Sequence, residues 1–277
     1  MANDKNPQAA IMADESMVRT LRHQADAIWP QEAPLFQRYA QPARARILDV
    51  GCGTGEATAR LAAVFTDATL IGVDVGAEVL AVAQRTHAAL APRLSFEAGD
   101  GFALRFATGE FDLVVCRHVT QLVPEPQRLI AELTRVLKPG GWLHVLSEDY
   151  MMLHFPERGT VDPDRLWRDG PVAYCQATGT DARIGRRSLP MLRHCGLTDA
   201  RIDYLTIDTE RVPRATLSGI MTAWRDGYAD AMGAASSRMS AAEAHELFDC
   251  LLATLADPNS YAVWHVPIVA GRKPVAA

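Results

Sequence analysis

The sequence predicts an α/β fold whose sheet is parallel and covered by helices on both faces. Two observations carry this. Between residues 44 and 150, short apolar runs alternate with runs whose apolar residues recur at helical spacing, and strands apolar on both faces belong in a buried parallel sheet. The first apolar run ends in Gly51-Cys52-Gly53-Thr54-Gly55, with a helical run directly behind it. At about 150 residues per domain, 277 residues allow one large domain or one domain with additions.

Residues 1–13 look frayed. Asp14 or Ser16 is placed to cap a helix whose apolar stripe is Met17, Val18, Leu21, Ala25, Ile28 and Trp29, with Pro30 and Pro34 ending it. Strands are expected at 46–50, 70–73, 94–96, 111–116 and 142–146, and helices at 56–65, 76–90 and 125–137. The last helix carries Leu129, Ile130, Leu133, Val136 and Leu137 on one face, and Pro139-Gly140-Gly141 is expected to stop it. Residues 151–178 contain Pro156, Gly159, Pro163, Gly170 and Pro171 and read as a loop-rich insertion. Ser188 is placed to cap a short helix with Pro190 in its first turn and Gly196 past its end. Residues 199–209 alternate as a strand, and 214–232 carry Leu217, Ile220, Met221, Trp224, Tyr228, Ala231 and Met232 at helical spacing. Ser240 and Glu243 form a capping-box pattern ahead of Leu247, Phe248, Leu251, Leu252 and Leu255. Pro258 closes that helix, and 261–270 is the last strand.

A net charge of −5 argues against a general nucleic-acid binder, which needs a basic excess to neutralise phosphates. No apolar run approaches the roughly 18–20 residues of a membrane span, and the N-terminal stretch lacks the pattern of a signal peptide. Cys52, Cys116, Cys175, Cys195 and Cys250 are scattered, with neither a CxxC pair nor zinc spacing. Reduced thiols in the cytoplasm are the simplest reading, and no metal site is expected.

Glycines at 51, 53 and 55 permit a sharp turn and close approach of a ligand to the backbone. The helix behind them presents its positive end. Asp74 closes the second strand, where an acid can accept hydrogen bonds from both hydroxyls of a ribose. Such a loop by itself also fits a dinucleotide enzyme. Three features tilt the reading: the spacing is G-x-G-x-G, Asp49 lies two residues before the first glycine, and a further acid, Asp100, sits in Gly99-Asp100-Gly101-Phe102 after the third strand.

With ILDVGCGTGEAT (47–58), IGVDV (71–75), AGDGFAL (98–104), FDLVVCRHVTQLVPEP (111–126) and LTRVLKPGGWLHVLSED (133–149) in order, the chain resembles the class I S-adenosylmethionine-dependent methyltransferases. The match runs from about 44 to 150. It is also similar to the quinone-biosynthesis C-methyltransferases. The resemblance implies a Rossmann-like, mostly parallel seven-stranded sheet with an antiparallel last strand, plus a helical lid. It implies one domain over 1–277, with 44–150, 179–210 and 260–271 as the cofactor-binding core. Residues 1–43, 151–178 and 211–259 are then lid and acceptor-binding additions.

By resemblance, Gly51, Cys52, Gly53 and Gly55 pack on the methionine and ribose of S-adenosylmethionine, Cys52 only filling the turn. Asp49 orients the loop, Asp74 with Val75 binds ribose, and Gly99, Asp100, Gly101 and Phe102 hold adenine. Arg117 and His118 are expected at the methionine moiety or the transfer site. Residues leaving the fourth and fifth strands face the acceptor pocket, which makes His118, Glu148, Asp149 and Tyr150 the catalytic candidates. His118 is the first choice for a base or acceptor-orienting group, since an imidazole titrates near neutrality. A hydrogen bond to backbone or to the cofactor carboxylate is its other reading. Glu148 and Asp149 are candidates for binding an amine, acting as base, or pairing with an arginine. Trp29, Trp167, Tyr174, Trp224 and Tyr228 are expected to line a substrate pocket; Phe36, Tyr39 and Phe155 join them in the segments expected to form the lid.

The function implied is methyl transfer to a small, largely apolar or aromatic metabolite, on O, N or C, by a cytoplasmic monomer or homodimer. Quinone or lipid C-methylation is one alternative. A protein that binds the cofactor without transferring methyl, such as a cyclase, isomerase or sensor, is another.

Overall fold

The structure, a computed structural model, describes residues 6–8, 15–39, 41–159 and 161–275. Asp14, one of the two expected caps, and the side chain of Met17 lie outside the described residues.

Strands β1 (Arg46–Val50), β2 (Thr69–Asp74), β3 (Leu94–Ala98), β4 (Phe111–Arg117) and β5 (Leu137–Leu146) run parallel in the order β3-β2-β1-β4-β5. Ile47 is in register with Leu70 on one side and Leu113 on the other. Because side chains alternate across a strand, Ile47, Leu113 and Val115 enter one core layer, while Leu48, Val114 and Cys116 enter the opposite one. Strand order reverses between β1 and β4, so a crevice opens beyond their carboxyl ends.

Strand β8 (Val263–Arg272) lies antiparallel on β5, and β7 (Thr198–Asp208) lies antiparallel along the far edge of β8. Two-residue β6 (Leu153–His154) pairs with Val263 and Trp264, beyond the end of β5. The sheet is therefore the expected seven strands with an antiparallel last strand, β8, plus β6 as a small eighth.

Helices α2 (Glu56–Val64), α3 (Ala77–Thr86), α4 (Pro126–Val136) and α7 (Gly185–His194) connect or flank the strands. A separate apolar cluster joins α1 (Glu15–Phe36), α5 (Asp164–Asp169), α6 (Pro171–Thr178), α8 (Arg214–Ala235) and α9 (Ala241–Ala256) through Ile28, Trp167, Tyr174, Trp224 and Phe248. Ser240 and Glu243 make the expected reciprocal capping box of α9.

Several expected boundaries are corrected. Helix α1 does not end at Pro30 or Pro34 but passes through both to Phe36. Each proline forgoes one backbone bond, and burial of Ile28, Leu35 and Phe36, at about 1.5–3 kcal/mol per large apolar side chain, offsets that loss. Pro139-Gly140-Gly141 does not precede β5 but lies inside it, where Gly140 N–H donates to Lys273 O and Lys273 N–H to Gly141 O. The 76–90 helix breaks at His87 into α3 and one 3-10 turn. Residues 151–178 are largely helical, since α5 and α6 bury Leu166, Trp167 and Tyr174. Ser188 is not a cap; α7 begins at Gly185 and the Ser188 hydroxyl donates back to Ile184 O.

Candidate active site

A cavity of about 430 Å³ occupies the crevice at the carboxyl ends of β1 to β5. Its floor is the glycine loop. Gly51 and Gly53 have φ of +76° and +53°, a region that favours glycine, and a Cβ on Gly51 would sit 2.2 Å from Val119 Cγ2. Val119 follows β4, so the loop's close approach to the neighbouring strand is what excludes a side chain. Gly55 also has positive φ, but it does not line the cavity: it starts α2 and faces Phe96 and His87. Its role is the turn, which corrects its expected place against a ligand.

The loop's amides are mostly spent. Gly51 and Cys52 N–H both donate to Val73 O, Gly53 N–H donates to Asp74 Oδ2 at 2.9 Å, and Gly55 N–H donates to Cys52 O. A pyrophosphate needs such amides free. Acids predominate around the cavity, where Asp49, Glu56, Asp74, Asp100 and Glu148 face Arg117 and His118. That balance favours a cation over a phosphate.

Asp49 is buried and accepts from the Thr58 hydroxyl at 2.6 Å, tying β1 to α2 rather than to the loop amides. Burial pushes its carboxyl up to about 6, against the pull of Thr58 and Arg117. Asp74 accepts from Gly53 N–H with one oxygen and Gly76 N–H with the other. A carboxylate has about four lone-pair sites, so each oxygen keeps capacity for a ligand hydroxyl. Asp100 Oδ1 accepts from Phe102 N–H at 2.8 Å, shaping the turn that places Gly99, Gly101 and Phe102 on the cavity wall. Cys52 and Val75 also reach the wall, and burial pushes the Cys52 thiol well above its ordinary value.

Arg117 lines the cavity but is held from behind. Its Nε donates to Glu32 Oε1 at 2.9 Å and its Nη2 lies 2.8 Å from Glu32 Oε2. Glu32, on α1, is 0% exposed and also meets His144 Nε2 at 3.0 Å, while His144 Nδ1 meets the Tyr39 hydroxyl at 2.8 Å. Burial alone would push Glu32 up, but Arg117 and His144 together hold it at about 2. This buried chain joins α1 to β4 and β5. Sequence reading missed Glu32. The available signal was an acid one helical turn after Ile28 in an otherwise apolar stripe.

His118 follows β4 with φ of +56°, a conformation that costs a residue with a Cβ about 1 kcal/mol or more. Its N–H donates to Leu146 O, and its Nδ1 lies 2.6 Å from Glu148 Oε1. Beside this pair, the Thr120 hydroxyl donates to Ser147 Oγ, which lies 2.8 Å from Ser188 Oγ, so the segments after β4 and β5 are clipped to α7. His118 Nε2 and Glu148 Oε2 are buried and have no hydrogen-bond partner among the described residues. With Nδ1–H donated to Glu148, Nε2 presents a lone pair. Tyr150 lies on the same wall, ringed by Trp167 and Trp224, and burial raises its phenol well above the ordinary value.

Asp149 is not brought to the cavity. Arg186 Nε and Nη2 clamp it at 2.6 and 2.8 Å, and it also accepts from Met151 N–H. Successive residues leaving a strand point to opposite sides, so Glu148 faces in and Asp149 out. Of the expected substrate aromatics, Trp224 and Tyr228 line the cavity. Trp167 and Tyr174 line a smaller annex that shares Gln121, Tyr150, Trp224 and Tyr228 with it. Trp29 lies on neither wall but packs on Phe36 beneath the sheet, in the same core layer as Tyr39. The helical stripe that places Trp29 on one face of α1 continues under β1, not over the crevice.

Comparison with known proteins bears on this arrangement. A family model described as a methyltransferase domain matches residues 47–141. Trans-aconitate 2-methyltransferase of Deinococcus radiodurans is 44% identical over 101 residues, which cover 36% of this chain and 37% of that protein. The chain thus spans little more than a third of that relative. Ubiquinone biosynthesis O-methyltransferase of Albidiferax ferrireducens is 30% identical over 184 residues, covering 58% of this chain and 70% of that one. The chain belongs to the class I S-adenosylmethionine-dependent methyltransferases. Among solved structures, a Haemonchus contortus phosphoethanolamine N-methyltransferase 2 superposes with a TM-score of 0.60 at 17% identity, covering 97% of this chain and 59% of that one. The [4+2]-cyclase SpnF superposes at 0.55 with 24% identity, covering 89% and 82%. Both likenesses concern the fold.

The cavity fits the family's cofactor, S-adenosylmethionine. The glycine loop borders the cavity with its amides spent on Val73, Asp74 and Cys52 rather than held open for phosphate, and the cavity's acids suit a ligand carrying ammonium and sulfonium charges. No helix among the described residues is long and apolar enough to cross a membrane.

Proposed function

We propose that the chain transfers a methyl group from S-adenosylmethionine to an ionisable oxygen of a small, largely aromatic acceptor. One observation carries the choice of a protic acceptor. His118 lines the cavity, its buried Nε2 has no hydrogen-bond partner among the described residues, and Glu148 fixes its other nitrogen. When bound, S-adenosylmethionine supplies an activated methyl on a sulfonium. The chain's own work is to bind, to orient and to take a proton. Asp74 and the 99–102 turn hold the nucleoside end, and Arg117, braced by Glu32, borders the methionine end. His118 Nε2 accepts the acceptor's proton, and Glu148 stabilises the imidazolium that results. Tyr150, Trp224 and Tyr228 exclude water and hold the acceptor's ring in line with the methyl.

Residues 44–150, 179–210 and 260–271 form the cofactor unit in this reading, and 1–43, 151–178 and 211–259 the lid. The acidic cavity and net charge support a small-molecule acceptor rather than nucleic acid. A monomer or homodimer in the cytoplasm fits the free cysteines.

The test is formation of S-adenosylhomocysteine over a panel of phenols and catechols. His118→Ala is expected to lower turnover about 10²–10⁴-fold, the usual contribution of a general base, with cofactor affinity unchanged. Equal losses in turnover and cofactor affinity would remove the base role. Turnover only on carbon acceptors would overturn the choice of oxygen.

A further inference from the structure

The annex beside the main cavity holds about 20 Å³, room for one small group such as a hydroxyl or a water. Its walls include Trp167, Tyr174, Trp224, Tyr228 and Gln121. Two of these residues carry unspent polar atoms. Trp167 is 1% exposed and Gln121 4%, yet Trp167 Nε1 and Gln121 Oε1 have no hydrogen-bond partner among the described residues. The indole N–H can only donate and the amide oxygen only accept. A buried polar atom left unpaired is costly, and two complementary ones on residues that wall one small chamber define what would satisfy both.

A hydroxyl donates and accepts at once. Gln121, Tyr150, Trp224 and Tyr228 wall both the annex and the main cavity, so an acceptor can lie across the two. We propose that the annex is an acceptor subsite, in which Trp167 and Gln121 read a second hydroxyl on the far side of the acceptor's aromatic body. The acceptor class is then a ring system with two hydroxyls. One is presented to His118, and the other is bound in the annex and kept unmethylated. This deepens the reading of the site as an aromatic O-methyltransferase and rests on it for the identity of the reacting hydroxyl. Recognition in the annex stands on its own walls.

The test is binding, not turnover, and uses phenol and toluene as probes. They have nearly the same shape and differ in the hydroxyl. In protein saturated with S-adenosylhomocysteine, phenol is expected to bind at least tenfold more tightly than toluene by calorimetry. The Trp167 indole N–H resonance should move with phenol and not with toluene. In Trp167→Phe/Gln121→Leu the preference is expected to disappear, while in His118→Ala it persists. Gln121→Leu alone, which leaves the aromatic packing in place, is expected to lose at least threefold of it. Equal affinities in the unaltered protein would overturn the proposal without any variant. So would a preference that survives the double substitution but is lost in His118→Ala, since the hydroxyl would then be read by the histidine. Failure of cofactor binding in the same calorimeter would instead strike the methyltransferase reading, so the two failures are distinguishable.

Discussion

Replacing Glu32 by Gln removes the charge that Arg117 faces in the interior. The magnitude follows from the structure in two ways. The carboxyl falls from 4.5 to about 2 because Arg117 and His144 more than offset its burial. At about 1.4 kcal/mol per pH unit, that is about 3 kcal/mol of stability at neutral pH. Independently, removing one partner of a buried ion pair costs about 3–5 kcal/mol, because the other charge is left uncompensated. Arg117 would be so left, since among the described residues its ion pair is with Glu32. In a chain of this size about 3 kcal/mol lowers the melting temperature by roughly 6–12 °C. The pH dependence has a definite sign. A depressed carboxyl contributes its full stability above about 4.5, and the contribution is lost as pH falls toward about 2. Urea unfolding at pH 7.5, 4.5 and 3 checks both parts. The Gln variant should be less stable by about 3 kcal/mol at pH 7.5, with the gap narrowing at pH 3. A loss below about 1 kcal/mol at pH 7.5, the level of an exposed pair, or a gap that does not narrow in acid, would refute the reasoning.

Asp49 behaves in the opposite sense. Its carboxyl is raised by burial from 3.8 to about 6, so the folded state is most favoured below about 3.8 and loses stability as pH rises through about 6. Asp49→Asn should stabilise the ligand-free protein by about 1–3 kcal/mol at pH 8 and give no gain below pH 4; a destabilised variant at pH 8 would contradict this. Asp74→Ala removes the acceptor for Gly53 and Gly76 N–H and, in the proposed reading, for the cofactor's ribose. It should weaken S-adenosylmethionine binding at least tenfold, about 1.4 kcal/mol, and unchanged calorimetric affinity would remove the assignment.

Much of the cofactor side was legible because its signals are local. An apolar strand, three glycines and an acid at the end of the next strand lie within 47–74, and backbone geometry there follows from residue type. For Asp149, pairing with an arginine was one expected role and is the one found, but the choice among its roles was not legible. The alternation that aims Glu148 at His118 and Asp149 at Arg186 depends on where β5 stops. Pro30 and Pro34 misled for a related reason: their local cost is certain, but the burial that outweighs it comes from strands far along the chain.

By itself, the sequence determined the alternation of strands and helices over 44–150, the glycine loop and the family resemblance, since each rests on contiguous residues whose conformational preferences are strong. Only the tertiary structure decided which polar atoms are spent and which are left. Glu32 reaches Arg117 across 85 positions, Glu148 reaches His118 across 30, and Trp167 and Gln121 wall one chamber, each with a polar side-chain atom left unpartnered among the described residues. Partnerships of that kind are set by packing, which brings distant residues together only once the whole core has closed.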